Sequence, residues 1–173
     1  MVSATNTLTN FFGSGDYAHG FFLNNSLSNF SLNPSSINSY KPGKRARSFT
    51  APTILAKEDE IIGIGSPGGR RIPAALSQVL YHFGVEELPL QEAVDKPRFY
   101  MENADVMIES QFTEETKQLL RDKGYRMIEW HGPHYFGGVQ ALVWELLEDG
   151  DIRIEGAADK RRSGSWDAAS LAT

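Results

Sequence analysis

"EIIGIGSPGGRRIPAALSQVLYHFG", Glu60–Gly84, decides the fold. Its first six residues are a short apolar run of the kind that makes a buried strand. From Ile72 onward the apolar residues Ile72, Ala75, Leu76, Val79, Leu80 and Phe83 recur with helical spacing, and Gly84 ends the pattern. Between them lies the turn "GSPGGRRIP", Gly65–Pro73. Adjacent glycines after a strand, at the start of a helix, expose consecutive backbone N–H groups where the helix dipole favours negative charge. The turn lacks the Lys-Ser/Thr ending of a phosphate-binding P-loop. An oxyanion holder and a plain strand-to-helix connection both remain open on these residues alone.

Working outward, "TAPTILAK" and the strand at Glu60 read as a hairpin turning at Glu58-Asp59-Glu60. Upstream, "MVSATNTL" alternates like a strand, and "FFGSGDYAHGFFLNNSLSNF" reads as a turn, a short apolar strand and a polar loop. Residues 31–44, "SLNPSSINSYKPGK", are rich in Ser, Asn and Pro and read as a flexible loop of lid or flap type. Downstream, "LPLQEAVDKP" is a short helix, "RFYME" and "DVMIES" are strands, and "TEETKQLLRDKG" is a helix capped by Thr113. "YRMIEW", "GGVQALVWELL" and "IRIEGAAD" are strands, the last two joined by the tight turn "EDGD". Mixed strands and helices with much antiparallel pairing imply an α/β or α+β layered fold, taken as a single domain over residues 1–173.

The composition narrows the function. Seventeen Lys and Arg against 22 Asp and Glu give a net charge of -5, and the basic clusters at Lys44–Arg47, Arg70–Arg71 and Lys160–Arg162 are short and scattered. This argues against a nucleic-acid partner. No apolar run reaches membrane-spanning length, and the first residues carry no signal-peptide pattern. The chain has no cysteine, which excludes disulfides and thiolate chemistry. His131 and His134 flank Gly132-Pro133, which rules out a helical metal pair, and no carboxylate motif completes a metal set. No Gly-x-Ser-x-Gly elbow is present for a serine triad. No metal or cofactor is expected.

The ordered set "TNTL", "FFGSG", "GFFLNN", "PGKR", "APT", "GSPGG", "QEAVDKPRF", "FGGVQA" and "GAADKRRSG" resembles the small, catalytic subunit of the gamma-glutamyltransferase family, from Val2 to about Gly164. It is more similar to the capsule-depolymerising and acylase-like bacterial branch than to the glutathione-handling branch. The resemblance implies an N-terminal-nucleophile hydrolase fold, a four-layer αββα sandwich that this chain fills incompletely, with the large subunit of the same precursor as partner. It implies a γ-glutamyl or related acyl amide substrate, and it leans towards an extracellular or cell-envelope setting. In the family the precursor cleaves itself, and the new N-terminal threonine attacks while its own α-amino group acts as base. The family's opening Thr-Thr-His strand has no counterpart among these residues. Ser3, Thr5, Thr7 and Thr9 each follow other residues and have no free α-amine. The resemblance therefore implies a fragment or shortened product without its nucleophile, inactive alone; a catalytically silent binding protein on the same fold is the alternative.

Residue by residue, the resemblance implies that Thr7 supports the nucleophile and that Gly68 and Gly69 are the oxyanion glycines, and so favours the oxyanion use of the turn. Ser48 matches the first of two serines that hold the donor's α-carboxylate. Four positions depart from the glutathione-handling branch: Thr9 stands for an asparagine, Asn29 for the aspartate that grips the donor's α-amino group, Phe49 for the second serine, and Ser26 for a glutamine. An amide offers an ammonium a weaker bond than a carboxylate does, and Phe49 removes a hydroxyl. The pocket is thus expected to suit acylated or amine-free donors. Arg71 and Arg161 or Arg162 are candidates to hold substrate carboxylates, with structural ion pairs as the alternative for the last two.

Overall fold

The computed structural model describes residues 3, 12–132 and 134–167. The strand expected over "MVSATNTL", with Thr7, and Thr9 after it lie, apart from Ser3, outside the described residues. The described chain begins with a two-stranded hairpin, β1 (Tyr17–Ala18) and β2 (Phe21–Phe22), and a 3-10 turn at Ser26–Asn29. Two larger sheets follow. The first has the order β3-β4-β8-β9, all antiparallel, from β3 (Thr53–Ala56), β4 (Glu60–Gly65), β8 (Gln140–Leu146) and β9 (Ile152–Ala158). The second has the order β5-β6-β7, from β5 (Phe99–Glu102), β6 (Asp105–Glu109) and β7 (Arg126–Trp130), with β6 and β7 parallel. Among the described residues three helices accompany the sheets: α1 (Ile72–Gly84), α2 (Leu90–Asp95) and α3 (Glu114–Asp122).

The core sits on one face of the four-stranded sheet. Ile62 and Ile64 of β4, Ala141 and Val143 of β8 and Ala157 of β9 are buried with Ile72, Ala75, Leu76 and Val79 of α1 and Leu90, Ala93 and Val94 of α2. The helical spacing of the α1 residues is what delivers them to one stripe. Leu80 and Phe83 extend that stripe and are half-buried. Gly84 is the last helical residue, but the residue that turns the chain in the left-handed region is Glu87, at φ 54°.

Strand alternation fixes the opposite face by elimination. Pairing sets Ile54 beside Gly63, Leu142 and Gly156, and Ala56 beside Ile61, Trp144 and Ile154. Leu146 and Ile152 continue the same face. No helix among the described residues covers these side chains, and Ile54, Leu142, Leu146, Ile152 and Ile154 are exposed. The sheet is apolar on both faces and buried on one.

Glutamine side chains attach the helices to sheet edges. Gln78 of α1 donates to the Phe99 carbonyl (2.9 Å) and accepts from the Phe99 N–H (3.0 Å). Gln91 of α2 does the same with Ala158, at 3.2 and 3.1 Å. Each amide substitutes for a missing neighbour strand and satisfies an edge. Thr113 caps α3 as its sequence implies, accepting from the Thr116 N–H at 3.2 Å. Lys117 then ties α3 to β7 through Glu129 at 2.9 Å.

Candidate active site

Four chain segments meet at one end of the four-stranded sheet. Ser48–Ala51 enter β3 where Ser66–Gly69 leave β4; Gly137–Val139 enter β8 there, and Asp159–Arg162 leave β9 there. The antiparallel register brings these segments together, although they lie far apart in sequence.

The glycine turn has a backbone that side chains would oppose. Gly68 lies at φ 134° and Gly69 at φ 58°. Gly69–Arg71 form a 3-10 turn that runs directly into α1, with Pro73 in its first turn. The first N–H groups of such a segment have no partner within it. Among the described residues, the Gly68 and Gly69 amides have no acceptor. Two neighbouring donors at a helix N-terminus, unused by any described residue, can receive a negatively charged oxygen.

A second glycine turn packs behind the first. Gly137, at φ 84°, lies so close that a β-carbon there would stand 2.6 Å from Ser66 Oγ and 2.7 Å from the Pro67 carbonyl oxygen. A β-carbon on Gly68 would meet the Gly137 α-carbon at 3.3 Å. Buried Ser66 links the two turns: its hydroxyl donates to the Pro67 carbonyl at 2.7 Å and accepts from the Gly138 N–H at 3.1 Å.

Arg71 leaves the turn beside an aromatic cluster. Its Nε donates to the Tyr135 carbonyl at 2.7 Å, and its guanidinium lies 4.0 Å from the Tyr135 ring centroid. Tyr135 in turn stacks on Trp130, with centroids 4.6 Å apart, and its hydroxyl donates to Glu102 at 2.5 Å. Arg70 pairs with the same Glu102. The two terminal nitrogens of Arg71 have no acceptor among the described residues, so this side chain is anchored at Nε with its ends available.

Beneath this surface lies an ion cluster that joins the two larger sheets. Fully buried Arg98 meets Asp159 at 2.7 Å and donates to the carbonyls of Phe136 (3.1 Å) and Val94 (2.8 Å). Asp159 also accepts from the Val139 N–H at 2.8 Å and the Arg161 N–H at 2.9 Å. Burial by itself would raise the Asp159 pKa. Arg98, Arg161 and these backbone amides outweigh it and hold the carboxyl below its ordinary value. Arg161 grips Glu109 with Nε and Nη2, both at 2.6 Å, and donates to Asp159, Val94 and Lys96. All five of its donors are thereby used within the protein, which fits the ion-pair alternative for this residue. The Arg162 stem packs on Gly138, and its Nη2 donates to the His134 carbonyl at 3.1 Å.

The proposed donor-binding residues form a second group. Ser48 Oγ bonds Thr50 Oγ1 at 2.7 Å and accepts from the Thr50 N–H, so it closes a small turn at the mouth of β3. Phe49 beside it is partly exposed, with the Arg47 guanidinium 5.2 Å from its ring centroid. Ser26 and Asn29 are the ends of the 3-10 turn. Asn38, from the loop at residues 31–44, ties the two pieces together by donating to the Asn29 carbonyl (2.7 Å) and accepting from the Arg47 N–H (3.0 Å). That loop is also closed on itself by a bond from the Ser31 N–H to the Asn38 carbonyl and by the Phe30–Tyr40 ring contact.

Ser66, Asn38, Tyr135 and the Arg98–Asp159 pair were not singled out from sequence. Their roles depend on partners in remote segments, and the only local signal was the glycine pair in "FGG".

Comparison with known proteins bears on this arrangement. The sequence pattern of the family described as Gamma-glutamyltranspeptidase matches residues 1–169. The chain is 47% identical over 166 residues to the capsule biosynthesis protein CapD proenzyme of Bacillus anthracis, covering 96% of the chain and 30% of that protein. It is 34% identical over 174 residues to the glutathione hydrolase proenzyme of Bacillus subtilis, covering 95% and 28%. The crystal structure of the Bacillus anthracis transpeptidase CapD matches with a TM-score of 0.79 at 44% identity, over 97% of this chain and 92% of that one. The chain therefore spans about 30% of the length of the curated relatives it matches. Its mixed α/β fold is that of these N-terminal-nucleophile hydrolases.

Proposed function

The chain belongs to the gamma-glutamyltranspeptidase family, and from that premise we propose that it forms the oxyanion-holding and donor-binding part of an enzyme that moves a γ-glutamyl or glutaryl-type acyl group. In this reading the family's threonine hydroxyl attacks the donor amide carbonyl and its proton passes to the α-amine. The carbonyl oxygen becomes an oxyanion, accepted by the N–H groups of Gly68 and Gly69. Collapse expels the amine, which takes up the proton and leaves an acyl ester. Water or an acceptor amine then attacks that ester and restores the hydroxyl. Thr7 is the proposed support of the nucleophile. The observation that carries the reading is the pair of glycine amides at the start of the helical segment, which have no acceptor among the described residues.

Ser26, Asn29, Ser48 and Phe49, with Thr9, are the proposed donor contacts, and Arg71, with Nε anchored and its terminal nitrogens available, is the proposed carboxylate partner. Arg162 is a second candidate for a carboxylate. The bare apolar sheet face supports the large subunit as partner. Without it, the polypeptide is expected to be inactive.

The test uses the enzyme assembled from both subunits. Replacing a charged partner by an amide removes about 1.5–3 kcal/mol, or roughly one to two decades in kcat/KM. Glutathione should therefore be a poorer donor than a poly-γ-glutamate oligomer or a glutaryl amide by that margin. The double change Asn29→Asp with Phe49→Ser should restore preference for glutathione. A wild-type preference for glutathione, or an unchanged ranking in the double variant, overturns the donor assignment.

A further inference from the structure

We infer that Ser66 is a positioning residue that aims the Gly68 amide into the reaction site. The inference rests on the oxyanion reading of Gly68 and Gly69. Among the described residues all peptide bonds are trans. In a planar trans unit the carbonyl and the N–H point in opposite directions. The Pro67 carbonyl and the Gly68 N–H belong to one such unit. Buried Ser66 holds that carbonyl at 2.7 Å, on the side of the core and of the second glycine turn. The Gly68 N–H on the opposite edge is thereby turned away from the core, towards the surface at the end of the sheet.

The pin is itself held from behind. Ser66 Oγ accepts from the Gly138 N–H at 3.1 Å, which leaves its proton for Pro67 and fixes which way the hydroxyl donates. The turn that supplies Gly138 is held on both flanks, by Arg98 on the Phe136 carbonyl and by Asp159 on the Val139 N–H. Gly137 admits the close approach because it has no β-carbon. A peptide unit free to rotate would spend part of its time with the N–H misaimed. One fastened at its carbonyl is oriented before charge develops, which is where an oxyanion donor gains its effect.

Ser66 touches no substrate in this scheme, so its replacement should act on the transition state and leave substrate binding nearly unchanged. In the two-subunit enzyme, Ser66→Ala should lower kcat by about tenfold to a hundredfold with KM within about twofold. Affinity for a boronic acid analogue of the donor, whose tetrahedral adduct places an oxygen at the oxyanion position, should fall by a similar factor. Affinity for a planar, unreactive donor analogue should hold. If Ser66→Ala does not fold, Ser66→Cys, nearly isosteric and a weak donor, is measured in the same way. A loss confined to KM, or kcat and boronate affinity both within about twofold of wild type, overturns the inference. A wild-type enzyme that turns over no amide donor and does not bind the boronate overturns the oxyanion reading instead.

Discussion

Replacing Gly137 by alanine would put a β-carbon 2.6 Å from the Ser66 hydroxyl and 2.7 Å from the Pro67 carbonyl, at a backbone φ of 84°. One of those neighbours is backbone and the other is buried, so relief requires the two turns to separate. The expected cost is about 1–3 kcal/mol from overpacking, with backbone strain added. Thermal denaturation should record it, and an unchanged melting temperature would mean that the turns are not in close contact. Gly69→Ala is the natural control, because a β-carbon there meets nothing within 4 Å and only the strain at φ 58° is added. At this scale the sequence was partly legible. The run "GSPGG" announced an unusual turn, whereas "GGVQALVWELL" read as strand throughout and its two glycines in fact precede β8. That one turn lies on the other could not be read, because Gly68 and Gly137 are joined only by the register between β4 and β8.

Secondary elements were the most legible level, since apolar runs bounded by turn residues mark strands such as β4, and helical spacing and capping mark α1 and α3. Their attachments were not. Arg98 stands just before β5 and Asp159 just after β9, and their pairing couples the edge of one sheet to the end of the other. A lone arginine in "KPRF" gives no sign that it is fully buried. This coupling has a pH signature. An aspartate held below its ordinary pKa adds stability that is complete above the unfolded value, about 4, and is lost as pH falls through the lower folded value. Melting temperature should therefore change little on this account between pH 7 and 5 and then fall in acid. Asp159→Asn should lower stability by about 3–5 kcal/mol at neutral pH, because buried Arg98 keeps its charge without its paired carboxylate. It should also flatten the acid branch. An acid branch of unchanged slope in that variant would assign the transition to other carboxylates.

At the scale of the molecule, the decisive feature is a sheet of which the described helices cover only one face. Ile54, Leu142, Leu146, Ile152 and Ile154 lie together on the other face, and Trp166 packs over Gly156 at its edge. A contiguous apolar surface of this kind is where a folded chain takes a partner. The polypeptide by itself is expected to self-associate and to bind a hydrophobic dye, and assembly with the proposed large-subunit partner should abolish both. A monodisperse monomer that binds no dye would show that the face is not available. Mixed α/β layering followed from the order of strands and helices. Which face stays bare did not follow, because both faces of β4 and β8 read as apolar.

The division of the site between β4 and β8 also sets an order in time. β3 with β4, and β8 with β9, are hairpins whose partners are close in the chain, whereas Ile62 and Val143 meet only after a long loop has closed. Loop-closure entropy delays such a pairing relative to the two hairpins. Ser66 travels with the first hairpin and Gly138 with the second. The bond between them can therefore form only when that late ladder does, and a chain caught before closure would hold both hairpins while its glycine amides point nowhere in particular.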